Sequence, residues 1–489
     1  MSNKTGYDLN SLIIIGNVTV CALSIYLYSK IGGNRYVDIS TLILLCIFGV
    51  ENILILLYER KKRDPFILLL LIITLGFYMG RVVTLLYDPW STSLALFSFT
   101  PYDLNYSLIF IMLSNISIFL GLSTAGGNIF YKKSVTNNYP ANPRKIMGIL
   151  LFVFLVSYCI QFTGGILGRF AGYIMLFVNV NLILLFTFTY LAMNFNKVSN
   201  TNRIAFLTLI TFFTVGTTLS GSRAALLALA CYLLVAVLSV KGKIIFNKKM
   251  LLISIIIIPV ALLLFISATY IRNVDGRHLA RTKQLNILQE ADLIGAKDIS
   301  LLCRPISGRI GFLDYSTMLI RNQERYSKII NFQYYFESII DNVLTPGFNV
   351  FGTIRVSHAM PYISSMRAVP THEEKRQMGY QSDMPTVYGE YYVLFHGYLA
   401  LIIFFISSYI FKKIYLSIRS KDPFLFYLYR ALVLFVFYLW LNSFGLDWML
   451  LDLVSIIITV GLFKNFYKMR SRKLKPVYRG KEFVGDTPL

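Results

Sequence analysis

Apolar runs of about 20 residues, the length that crosses a bilayer's hydrocarbon core, recur along the chain. They fall at roughly 10–29, 40–58, 66–87, 107–124, 146–165, 171–194, 204–220, 221–240, 251–270, 390–411, 424–443 and 446–464. Each predicts a helix, because only a helix satisfies its own backbone hydrogen bonds within lipid. The pattern therefore predicts an all-α polytopic membrane bundle with about twelve transmembrane helices. Its tightest connection lies between the seventh and eighth, where Thr217 to Ser222 must turn with almost no loop. The first run follows a weakly charged start without a small-residue cleavage site, so it reads as a retained helix rather than a signal peptide.

Positive charge in the connections orients the bundle. One alternating set, comprising the N-terminus, five loops and the tail, holds 27 of the 47 Lys and Arg. The opposite short connections hold only Lys30, Arg35, Arg169 and Arg223. By the positive-inside rule both termini are cytoplasmic. The chain then divides into nine transmembrane helices over 1–270, a large external segment over 271–389, three further helices over 390–464 and a basic cytoplasmic tail over 465–489. The external segment carries 14 Lys/Arg against 11 Asp/Glu. Within it, 308–327 reads as helical, and Phe332, Phe336, Ile339, Ile340 and Val343 repeat at helical spacing until Pro346 and Gly347 stop the run. That stretch reads as an amphipathic helix lying on the membrane or on the bundle top.

Composition agrees with this reading: 56% of the 489 residues are apolar, 15% are charged and the mean hydropathy is +0.62. The net charge of +23 does not point to nucleic acid, since most of it flanks apolar runs. Cys21, Cys46, Cys159, Cys231 and Cys303 have neither CxxC nor zinc spacing. No Walker loop, GxGxxG turn, HExxH or DxD pair occurs, so nothing in the sequence supports ATP hydrolysis, dinucleotide chemistry or metal-dependent nucleotide-sugar transfer. No cofactor and no metal are expected.

Ionisable residues within a membrane are costly and mark candidate sites. Arg81 falls near the outer end of the third run, Glu51 deep in the second, Arg430 near the inner end of the eleventh and Asp452 toward the outer end of the twelfth. Arg430 and Asp452 lie at different depths, and Arg430 is expected to snorkel to the cytoplasmic lipid surface. Arg223 sits in Ser220-Gly221-Ser222-Arg223-Ala224-Ala225-Leu226-Leu227, a small-residue turn at a helix start. Free N–H groups, the helix dipole and a guanidinium converge there, an arrangement suited to phosphate or pyrophosphate; anchoring of a helix end is the plainer alternative. The external segment adds Arg304, Arg309, Arg355, His358, Arg367, His372 and Asp383, an arginine-rich chamber that favours an anionic lipid head group. Glu390, in Gly389-Glu390-Tyr391-Tyr392-Val393-Leu394-Phe395-His396-Gly397-Tyr398, opens the tenth run with His396 deeper in the same helix. Glu390 either complements the helix dipole or acts as a general base toward a sugar hydroxyl.

The layout, the SGSRAALL turn at Ser220 to Leu227 and the GEYYVLFHGYLAL stretch at Gly389 to Leu401 resemble the Wzy-type oligosaccharide repeat-unit polymerases of O-antigen and capsule assembly. The resemblance implies a metal-independent inverting glycosyltransferase on the outer face of a bacterial inner (cytoplasmic) membrane. Its substrate would be an undecaprenyl-pyrophosphate-linked oligosaccharide, and a chain-length regulator protein would be a partner. The pyrophosphate role passes first to Arg223, then to Arg309 and Arg304, with Arg81 and Arg355 on the same face. The base remains open between Glu390, Asp383, His358 and His372. O-antigen ligases share the late outer loop but usually show a His-Asn where the following helix begins. Here Ser382 to Thr386 and Glu390 lack that His, which favours polymerase. A lipid-linked oligosaccharide flippase is the competing class, although related halves and a midplane helix broken by glycine or proline are not evident.

Overall fold

The computed structural model describes residues 7–59, 64–87, 99–126, 180–194, parts of 200–214, 223–241, 245–246, 311–345, most of 350–371, 374, 385–442 without 421, and 445–472. The expected spans over 146–165, most of 204–220 and 251–270, the first part of that over 171–194, the external residues 271–310 and the tail beyond 472 lie outside these residues. Helices dominate, as the apolar periodicity predicts. The helices are α1 (Leu9–Ile31), α2 (Ile39–Glu59), α3 (Pro65–Tyr87, π-helical over Thr74–Met79), α4 (Pro101–Thr124), α5 (Val180–Asn194) and α6 (Arg223–Lys241). Four short helices follow in the described part of the external segment: α7 (Phe312–Arg321), α8 (Gln323–Ile329), α9 (Phe332–Ile339) and α10 (Val356–Ser364). After it come α11 (Val387–Leu394), α12 (Ala400–Ser417), α13 (Pro423–Leu441) and α14 (Leu446–Arg472). Six of the described segments are long and apolar enough to cross a membrane: α1, α2, α3, α4, α12 with its preceding turn, and α13.

Capping explains where several helices begin. Asp64 and Asp422 each accept backbone N–H groups ahead of a proline at the first helical position. Thr100 and Asp103 form a reciprocal capping box that starts α4 six residues earlier than the apolar run alone implies. The 308–327 stretch is two helices rather than one, because the chain kinks at Asn322.

A two-residue antiparallel pair joins β1 (Tyr7–Asp8) to β2 (Ile245–Phe246). It places the start of α1 beside Ile245–Phe246. A buried Lys412–Asp64 ion pair ties α12 to the start of α3. The Arg81–Asp314 pair ties the far half of α3 to α7.

Close helix approach uses small residues. Gly121 on α4 lies against the Phe405 carbonyl and the Ser408 side chain of α12, and Ser117 Oγ donates to the Leu401 carbonyl at 2.8 Å. Arg430, expected to snorkel, is instead buried, with its guanidinium over the Tyr415 and Phe426 rings at 4.7 and 4.3 Å. Aromatic faces stabilise the cation there without requiring it to reach water.

Candidate functional site

The tenth apolar run is not one helix. Thr386 at φ +54° precedes α11, and His396 at φ +52° with Gly397 at φ +85° follows it. The chain therefore turns at 395–399, and the membrane span restarts at Gly397. A β-branched residue at positive φ is an outlier. Thr386 is held there by a 2.7 Å hydroxyl contact with Ser316 of α7, while its Oγ1 accepts from the Gly389 N–H. Gly389 lets α11 sit directly on α7: a Cβ there would stand 2.6 Å from Leu319 Cδ1.

Every residue of α11 is buried, and its polar ones reach separate neighbours. Tyr388 donates to Asn115 Oδ1 of α4 at 2.6 Å. Tyr391 accepts from Trp440 Nε1 of α13 at 2.8 Å and stacks on Phe404 of α12. Tyr392 and Tyr106 of α4 place their hydroxyls 2.8 Å apart. Glu390 is 2% exposed; its Oε1 accepts from the Tyr335 hydroxyl of α9 and from the Leu446 N–H at the start of α14, the latter at 2.8 Å. The carboxylate thus faces the positive end of the α14 dipole as well as that of its own helix.

A second carboxylate, which the sequence reading passed over, stands beside it. Asp447 accepts from Ser338 Oγ of α9 at 2.7 Å, from the Val356 N–H at 3.0 Å and from the Trp448 N–H at 2.8 Å. Its donors tie α9, α10 and α14 together. Its sequence signal was an acidic residue in the first turn of the last helix. Burial first, then the Glu390 and Asp447 charges, push the Tyr335 phenol well above its ordinary value, so it stays a proton donor.

Arg355 lies over the Trp448 ring at 3.8 Å, and its charge acts on Asp447 and Asp452. Trp448 Nε1 donates to Ser357 Oγ at 3.0 Å. The expected Arg355 and Glu390 are thereby brought to one assembly around α9 and the start of α14. His358 is half-buried on α10, one turn from Arg355. Arg367 is exposed.

Arg81, expected on the pyrophosphate-facing set, is fully enclosed. Its Nε and Nη2 bond both Asp314 oxygens at 2.6–3.1 Å, and Nη1 donates to Thr84 at 3.0 Å. Direct contact with a ligand would require that pair to open, so Arg81 serves to dock α7 onto α3. The partner, Asp314, lies 233 residues away, which is why spacing alone did not reveal it. Asp383, His372, Arg304 and Arg309 lie outside the described residues. Arg223 is described only as the residue that opens α6.

Comparison with protein-family models, curated proteins and solved structures finds no match to this chain. Its functional reading therefore rests on its own residues. The apolar helices establish a multi-pass membrane protein.

Proposed function

We propose that the chain polymerises undecaprenyl-pyrophosphate-linked oligosaccharide repeat units, as Wzy-type polymerases do, on the outer face of a bacterial cytoplasmic membrane. The observation that carries this reading is Glu390: a buried carboxylate on a short helix beneath the external segment, with a hydroxyl already on its Oε1. In the reaction, a hydroxyl of the incoming repeat unit takes the place of Tyr335 and gives its proton to Glu390. The freed oxygen attacks the anomeric carbon of the growing chain from the face opposite the pyrophosphate. The anomeric C–O bond breaks with inversion, and the lipid pyrophosphate leaves carrying the electron pair. Arg223, Arg309, Arg304 and Arg355 are the proposed donors to that charge, which must be neutralised for pyrophosphate to depart. Asp447 has three donors on it and is assigned the positioning of α9 rather than proton transfer.

The test is incubation of the purified protein with a lipid-linked repeat unit, without nucleotide or metal, followed by separation of products by length. A ladder stepping by whole repeat units is expected. Glu390→Gln should lower its rate about 10²–10⁴-fold, the usual contribution of a general base. Tyr335→Phe, which removes only the placeholder hydroxyl, should cost about tenfold or less. Equal losses in the two variants would remove Glu390 from the base role. An unchanged substrate that the protein instead moves across a liposome bilayer would make it a flippase.

A further inference from the structure

Helix α9 is amphipathic in the opposite sense from a helix that covers a core. Its buried side chains are Tyr335 and Ser338, followed by Asp341, Asn342 and Val343 in the π-helical turn Ile340–Leu344. All but Val343 are polar, and these hold internal partners: Tyr335 on Glu390, Ser338 on Asp447, Asp341 on the Phe351 and Thr353 N–H groups, and Asn342 on the Thr353 carbonyl. Phe332 and Phe336, one turn apart, are each 63% exposed. Leu344 (61%) extends that apolar surface beyond the helix. In water such a face would leave two aromatic side chains exposed while the polar ones are buried, the reverse of what the hydrophobic effect selects.

Its position says what covers it. The Phe332 ring meets the Phe395 edge with centroids 5.6 Å apart. From there the chain passes through Leu399 into α12, whose Ile402, Ile406, Ile410 and Ile414 are all exposed at a spacing of four. That row is the outward face of a membrane-crossing helix. The α9 face therefore continues the lipid-facing surface of α12 at its outer end. We infer that α9 is inserted in the outer leaflet on its Phe332–Phe336 face, with the acyl chains of that leaflet as its partner. Its inward polar face is then a wall between lipid and the Glu390–Asp447 assembly, at the depth where head groups meet acyl chains. A lipid-linked substrate would reach the assembly from within the leaflet.

This docking does not depend on the reaction proposed above, and its test does not measure activity. Phe336→Trp and, separately, Phe332→Trp are reconstituted in phosphatidylcholine bilayers with and without bromine on the acyl chains. The emission of the unsubstituted protein in the same lipids is subtracted. A Gln333→Trp variant reports the exposed polar edge of the same helix. Brominated chains should lower the added emission at 332 and 336 roughly twofold or more and leave 333 nearly unchanged, while aqueous iodide does the reverse. Quenching of 332 and 336 by iodide and not by bromolipid would put the face in water. Protection from both quenchers would mean that protein covers it. Either result overturns the proposal.

Discussion

His396 adopts φ +52° between a helix end and Gly397, a conformation that costs an L-residue about 1–2 kcal/mol. Its imidazole is exposed, so the backbone turn rather than the ring is what the fold needs from this position. His396→Gly should therefore be neutral or raise stability by roughly 1 kcal/mol, as measured by thermal unfolding in detergent, with the proposed polymer formation unchanged. Loss of activity at intact stability would give the ring a role. Tyr335 is the reverse case, since its side chain matters and its backbone is ordinary. Because its phenol is raised above the ordinary value, its contribution to stability is complete below the unfolded value of about 10 and is lost only as pH rises beyond it. A pH–stability profile should show no alkaline limb from Tyr335 between pH 7 and 9, and a Tyr335→Phe profile should match it there in shape.

At the scale of elements, α7 is joined to α3 by the Arg81–Asp314 pair, both side chains fully buried. Removing one partner leaves an uncompensated buried charge, which costs about 3–5 kcal/mol, whereas replacing both with apolar residues avoids that cost. Arg81→Met alone should lower unfolding stability by that amount, and Arg81→Met with Asp314→Leu should recover most of it. If the double variant is no better than the single one, the pair has a role beyond docking. The same element, α7, also receives α11 through Gly389 and Thr386, so it is held by α11 as well as by α3. The sequence predicted a helix at 308–327 but neither the break at Asn322 nor the partner of Arg81. Local periodicity reports which residues are apolar, not which distant acid meets a buried base.

At the scale of the whole molecule, two long-range pairings join positions that charge counting assigns to the same side, β1 with β2 and Lys412 with Asp64, and a third, Arg81 with Asp314, joins α3 to the external segment. Val350 and Ser420 lie on opposite sides of this scheme. In intact cells, a cysteine at Val350, which is 62% exposed, should react with a membrane-impermeant maleimide. One at Ser420, in the connection between α12 and α13, should react only after the membrane is opened. The opposite pattern would invert the orientation and place the Glu390 assembly on the cytoplasmic side.

The sequence by itself determined the material of this protein: apolar runs of spanning length and the segment of the chain that carries polar chemistry. These are local properties, because helix formation in lipid depends on each segment's own hydropathy and backbone bonding. It also singled out Glu390, at the start of an apolar run, and Arg355, one of the arginines gathered in the external segment. Tertiary structure alone decided that Gly389 to Leu401 is a short buried helix and a turn before the span begins. It alone joined Tyr335 to Glu390 and Ser338 to Asp447, enclosed Arg81 with Asp314 and turned the apolar face of α9 outward. The physical reason is common to all four: a buried polar group is stable only when a partner satisfies it, and in these cases the partner comes from a distant part of the chain.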